Sequence, residues 1–267
     1  MSMQERSGCA EVNGTRLYYE VAGSESPLVL IHGFSLDHRM WQDQVTVFAK
    51  SYQVIRYDVR GFGRSKLPTD EGYSCPDDLK ALLDHLGIGH ASILGLSMGG
   101  EIAIDFALAY PGMVDALVLV DASPGGYQSK EFGASLAQIL SRIPEYGIQG
   151  AKKAWMNHEL FVPAMAEPGV AERLRQMISD YSGWHLVNRD PERKPAPPAI
   201  HRLATISSPT LVIVGQRDIS DFQDIADLLA QTIPDAQKVV LPGVGHMSNM
   251  EAPDEFNRVV LSFLASI

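Results

Sequence analysis

With 267 residues, 45% of them hydrophobic, the chain can bury a large core, and its length fits one big α/β domain or a domain carrying an insertion. A formal net charge of −10 and a pI near 5.2 disfavour nucleic acid and anionic membrane surfaces as partners, because both require a basic face. Two distant cysteines, Cys9 and Cys75, have no His or Cys neighbours at metal-ligand spacing, so a reducing compartment with free thiols and no metal site is expected. The N-terminal residues lack the apolar core of a secretion signal and no apolar run approaches membrane-spanning length, so the expectation is a soluble, cytoplasmic protein.

Residues 12–21 hold an Asn13-Gly14 pair followed by alternating apolar and polar residues, which reads as an antiparallel hairpin at a sheet edge. Residues 27–33 form a nearly unbroken apolar run ending in His32-Gly33, as expected of a strand covered on both faces. Met40, Trp41, Val45, Phe48 and Ala49 place a helix over 38–50, and 52–58 reads as a second buried strand leading into the glycine-marked loop 60–65. A helix is predicted over 76–86, with Pro76 at its start, Asp77 and Asp78 in its first turn and Gly87 as its stop. Strands are expected at 91–94, 116–121, 210–215 and 237–242, and helices at 99–110, 221–231 and 253–265. Alternation of this kind indicates a doubly wound, mainly parallel sheet.

Between 124 and 200 the alternation stops. Helix-like pieces at 132–142, 150–157 and 170–184 are separated by Gly and Pro, and a proline-rich connection closes the stretch at 190–198. The expected organisation is therefore a core of residues 1–123 and 201–267 with an inserted helical cap at 124–200. The cap holds nine Lys/Arg and eight Asp/Glu, so the acidity belongs to the core.

The chemistry centres on Leu94-Gly95-Leu96-Ser97-Met98-Gly99-Gly100, a Gly-x-Ser-x-Gly string between a strand and a helix. Such a turn aims the serine hydroxyl away from the sheet, and it needs glycine on both sides because a Cβ there would collide with the neighbouring strand or helix. A serine hydroxyl needs a base to remove its proton as it attacks. His246, on a glycine-rich loop after the last strand, can supply it, and a carboxylate on its other nitrogen would fix the tautomer and stabilise the imidazolium. Asp218, in Gly215-Gln216-Arg217-Asp218 after the preceding strand, suits that role; Asp121 is its rival, with a helix or loop cap as its alternative use. In a parallel sheet the C-terminal strand ends lie side by side, so these side chains can converge. The backbone N–H groups of Phe34 and Met98 are the expected donors to a carbonyl oxygen that gains charge.

From the His32-Gly33-Phe34 segment and the 58–65 loop, through the serine turn, to Gly215-Gln216-Arg217-Asp218 and Gly245-His246, the chain resembles the α/β-hydrolase fold superfamily over nearly its whole length. The order Ser, Asp, His matches that family. Within it the Gly-Leu-Ser-Met-Gly-Gly string is similar to small carboxylesterases and enol-lactonases. The resemblance implies a cap over Ser97 that shapes the pocket, and a serine hydrolase acting without a cofactor on a small-molecule ester, lactone or related acyl substrate. Thioester cleavage, carbon–carbon bond hydrolysis and perhydrolysis start from the same triad, and a low-turnover ligand receptor of the same fold is the reading from another class. No motif fixes an oligomeric state.

Other residues receive structural roles. His32 is expected beneath the oxyanion loop, Arg60 and Arg64 in ion pairs or facing water, Cys75 as a passive thiol, and Asp221 and Asp224 as N-cap and first-turn acid of the following helix. Among the cap aromatics, Tyr127, Trp155, Trp184 and His185 are the candidate substrate contacts, with Phe132 and Phe161 beside them. The methionines of the cap, Met156, Met165 and Met177, suggest a mainly apolar pocket.

Overall fold

A computed structural model describes residues 5–267. The chain opens with the hairpin β1 (Glu5–Val12) and β2 (Thr15–Ala22). Asn13 and Gly14 both take positive φ, 46° and 71°, the conformation that a two-residue turn between twisted strands requires. There follow β3 (Ser26–Ile31), a 3₁₀ turn at His38–Trp41 joined to α1 (Gln42–Phe48), and β4 (Tyr52–Tyr57). Next come α2 (Cys75–Leu86), β5 (Ala91–Leu96), α3 (Met98–Ala109) and β6 (Val114–Val120). In α2 the Ser74 hydroxyl accepts the Asp77 N–H at 3.3 Å, and Gly87 closes the helix at φ 72°.

These strands, with β7 (Thr210–Gly215) and β8 (Gln237–Leu241), form one sheet in the order β1-β2-β4-β3-β5-β6-β7-β8. β1 and β2 pair antiparallel at one edge; every pair from β4 to β8 is parallel. All six residues of β5 and of β7 are buried, as their apolar runs require. The order reverses beside β3: the chain leaves it for β4 on one side and returns to its other side with β5. A crevice outside the C-terminal strand ends at such a reversal is where open α/β sheets bind ligands. The pairing of Ile31 with Gly95 sets the Gly33-Phe34 loop next to Leu96-Ser97 at that point.

Between β6 and β7 lie α4 (Phe132–Ser141), α5 (Ile143–Met156), α6 (Val162–Met165), α7 (Pro168–Asp180) and α8 (Trp184–Val187). The helix expected over 150–157 starts instead at Ile143 and continues through a kink at Gly147, whose φ is 64°. The one expected over 170–184 stops at Asp180, because Gly183 turns left-handed (φ 77°) and Trp184 begins a separate turn. The connection expected to be free of strand is held by an isolated bridge between Tyr73 and Glu192 and by the Arg193 N–H donated to the Tyr73 carbonyl at 2.7 Å. The fold is completed by the helices α9 (Ser220–Thr232), α10 (Ser248–Glu251) and α11 (Pro253–Leu264). No helix among the described residues is long and apolar enough to cross a membrane.

Candidate active site

Ser97 stands between β5 and α3 with φ 56° and ψ −116°, a conformation costing of the order of 1–3 kcal/mol for a residue with a side chain. The surroundings enforce it. A Cβ on Gly95 would run into the Gly99 carbonyl, and one on Gly99 would strike the Ile31 backbone, so strand, turn and helix pack without room for anything larger. The Ser97 N–H is held by the Val120 carbonyl at 2.9 Å, and its own carbonyl accepts Gly100 and Glu101 N–H at 2.9 and 3.0 Å.

His246 is 1% exposed and Asp218 8%. The imidazole Nδ1 donates to Asp218 Oδ2 at 2.7 Å, and the other carboxylate oxygen accepts the Ile219 N–H at 2.8 Å. His246 Nε2 is buried without a hydrogen-bond partner among the described residues. Ser97 and His246 line the same cavity, of about 360 Å³. Serine and imidazole that act together often tighten their contact only when substrate is bound. Phe34 and Met98 line the cavity as well, and Met98 opens α3, so its N–H lies at the positive end of a helix dipole. The Gly33-Phe34 loop is braced from below: His32 Nδ1 bonds to the Gly33 carbonyl (2.9 Å) and Nε2 accepts the Val59 N–H (3.0 Å), while burial holds the imidazole below its ordinary pKa.

Asp121, the rival acid, does not face the imidazole with a hydrogen bond. Its oxygens accept the Gly215 N–H (2.9 Å) and the Ser248 hydroxyl (2.7 Å). The side-chain atoms of Asp121, Asp218 and His246 all fall within 4.8 Å of one another, as do those of Asp37, His38 and Asp58. In each cluster Nδ1 of the histidine is engaged by a carboxylate at 2.7 Å, a proton-donating contact that leaves no lone pair there for a metal ion.

Of the aromatics expected in the cap, Tyr127, Phe132, Trp155 and Phe161 line the cavity. Trp155 also donates Nε1–H to Ser35 Oγ at 2.7 Å and meets the Phe34 ring edge-on at 5.8 Å, so it immobilises the Phe34 loop. Trp184 and His185 are not in the lining. His185 stacks on Phe62 at 4.3 Å with its Nδ1 3.0 Å from the Tyr181 hydroxyl, and Trp184 sits edge-on to it. These contacts make His185 packing behind Phe34 and Trp184 packing against His185, which the spacing of aromatics in a sequence cannot reveal. Arg60 is buried in an ion pair with Asp78 (2.7 Å), Arg64 lies over the Tyr18 ring, and the Cys75 thiol, pushed up by burial, is a passive core group.

Asp221 departs from its expected role. The N-cap of α9 is Ile219, and Asp221, inside the first turn, turns its carboxylate to a different helix. It accepts Ser129 Oγ–H (2.7 Å) and the N–H groups of Lys130 (3.3 Å), Glu131 (3.0 Å) and Phe132 (2.9 Å), which open α4. Burial opposes its charge, but these donors outweigh it and hold the carboxyl below the usual range. Asp224, expected as the first-turn acid, is exposed and lies beyond the first turn, where the acid is Asp221. No pattern in sequence joins residues about ninety positions apart, so this link was not legible. Glu251 was also missed: its carboxylate accepts the N–H groups of Gly245 (2.8 Å) and Met247 (3.1 Å), on either side of His246. A carboxylate five positions beyond a histidine on a tight loop was the available signal.

Comparison with known proteins gives a match to the family model for the alpha/beta hydrolase fold over residues 26–253. A 2-hydroxy-6-oxononadienedioate/2-hydroxy-6-oxononatrienedioate hydrolase of Burkholderia vietnamiensis is 33% identical, the alignment covering 93% of this chain and 91% of the relative. The structure is similar to the enol-lactonase from Burkholderia xenovorans LB400, with a TM-score of 0.82, 28% identity and coverage of 97% and 100% of the two chains. It is also similar to a thermophilic esterase from Thermogutta terrifontis, with a TM-score of 0.79, 28% identity and 98% of each chain covered.

Proposed function

Because the chain belongs to the α/β-hydrolase fold family and is a hydrolase, we propose that it is a serine hydrolase that cleaves an uncharged carboxylic ester or lactone of small to medium size. The observation that carries this reading is His246: Nδ1 is fixed by Asp218, Nε2 is buried without a hydrogen-bond partner among the described residues, and the residue lines one cavity with Ser97. In the reaction Ser97 Oγ bonds to the carbonyl carbon while its proton passes to His246 Nε2, and the Phe34 and Met98 N–H groups stabilise the oxyanion. Collapse breaks the bond to the alcohol oxygen, which takes the proton from Nε2. Water, deprotonated by the same nitrogen, then releases the acid and restores Ser97.

Residues 124–200 act in this reading as the lid whose inner face selects the substrate. The choice of an uncharged ester or lactone, rather than a dioate of the kind named for the Burkholderia vietnamiensis relative, rests on the cavity wall. It is lined mainly by Leu, Ile, Phe, Trp and Met side chains, its acidic members are Glu101 and Asp221, and it includes no Lys or Arg among the described residues to meet a substrate carboxylate.

The test is labelling with a fluorophosphonate together with turnover of short p-nitrophenyl esters and lactones. Wild type is expected to label at Ser97 and to turn over, and Ser97→Ala, His246→Ala and Asp218→Asn to remain folded while losing roughly 10³- to 10⁶-fold in kcat. Absence of labelling and of turnover in folded wild type would support the receptor reading instead.

A further inference from the structure

Asp121 directly follows β6 with φ 45°, in the left-handed region, and is 1% exposed. Its backbone N–H goes to the Ile213 carbonyl at 2.9 Å, its Oδ1 to the N–H of Gly215 and its Oδ2 to the hydroxyl of Ser248. One side chain thus joins the loop that carries Asp218 to the segment that follows His246. Its carboxyl also lies in the cluster with Asp218 and His246 whose atoms are all within 4.8 Å.

Two carboxylates this close in a dry site cannot both be ionised cheaply. Asp218 is the one of the two that faces the imidazole Nδ1, at 2.7 Å, and it also accepts the Ile219 N–H at 2.8 Å. Asp121 receives hydrogen bonds from an amide and a hydroxyl, its contact with the Asp218 carboxyl favours a proton held between the two, and no Lys or Arg forms an ion pair with it among the described residues. Burial, and then the Asp218 charge, push its carboxyl well above the ordinary range.

We propose that Asp121 is a positioning residue for the base: an uncharged carboxyl that ties the Asp218 loop to Ser248, leaving Asp218 as the single anion opposite His246. This rests on the reading of His246 as the base. The titratable groups facing it are Asp218, from the end of β7, and His246, from the loop after β8; Glu251 acts on that same loop through Gly245 and Met247.

The experiment compares wild type, Asp121→Asn, Asp121→Ala and Asp218→Asn by kcat and KM across pH on a neutral p-nitrophenyl ester, and by infrared absorption of protonated carboxyl groups. Asp121→Asn is uncharged like the acid it replaces and keeps an acceptor for Gly215. It is expected to keep the acid limb of kcat/KM within about 0.3 pH unit and to lose at most about tenfold in kcat. Asp121→Ala, without acceptors, is expected to lose about 100-fold in kcat with KM little changed. At neutral pH the wild type should show a protonated-carboxyl band that Asp121→Asn lacks; Asp105, pushed up to about 7 by burial, contributes to both proteins and cancels in the difference. Three results would each overturn the proposal: no infrared difference, a loss in Asp121→Asn as large as in Asp218→Asn, or an acid limb displaced by about one pH unit or more. If Asp121→Ala does not fold, the Asn variant and the infrared difference decide the matter. The infrared measurement needs no substrate, so it separates an error about Asp121 from an error about the reaction.

Discussion

Glu251 reaches back across a tight turn to accept the N–H groups on both sides of His246, so the imidazole is held by its neighbours' backbone as well as by Asp218. Burial pushes the Glu251 carboxyl above the ordinary range while those two N–H groups pull it back. Glu251→Gln turns one acceptor into a donor facing an N–H. The expected result is a loss of about tenfold in kcat with KM little changed, and faster amide exchange in the loop around His246. A kcat equal to that of wild type would show that the loop holds His246 in place without the Glu251 carboxylate. The residues proposed for the chemistry were legible beforehand for a local reason: each follows a strand and lies within three residues of a glycine, and Gly95, Gly99, Gly215 and Gly245 are required by close backbone or side-chain approach.

Among the elements, the regular ones were legible because buried parallel strands must be apolar throughout and their helices carry visible caps, as Ser74 and Gly87 do for α2. The helices between β6 and β7 were less so. α4 has no buried residue, and α5 runs through a glycine with a positive φ, so periodicity there is weak or misleading. What fixes the start of α4 is Asp221, from another helix, which accepts the N–H groups that its own N-cap residue, Glu131, leaves unmet. Asp221→Ala strips those donors of their acceptor. By analogy with lost helix caps it should cost about 1–2 kcal/mol, raise KM several-fold, and speed amide hydrogen exchange across residues 128–141, with Asp221→Asn between the two. Unchanged exchange in α4 would mean that Phe132 and Leu136, packed on the core, hold the helix without the carboxylate.

At the scale of the whole molecule, the net charge of −10 and the cavity wall act in the same direction on a substrate. The field of the protein repels anions as they approach, over distances that salt can screen. Inside, Glu101 and Asp221 line the cavity; Lys194, which reaches Glu101 at 3.1 Å, is shared with Glu192 at 2.8 Å and is already matched by carboxylates. Burying a substrate carboxylate against such a wall leaves it without a partner, which raises the free energy of both the bound complex and the transition state. A p-nitrophenyl ester ending in a free carboxylate should therefore show kcat/KM at least about tenfold below that of the methyl-terminated ester of equal length. Its rate should rise with added salt while that of the neutral ester stays level, since only the long-range part of the repulsion is screened. Equal kcat/KM for the two esters, or the same response to salt, would mean that the acidic surface and wall do not select the substrate. In that case the choice would fall to the shape of the apolar lining set by Phe132, Leu136, Trp155 and Phe222.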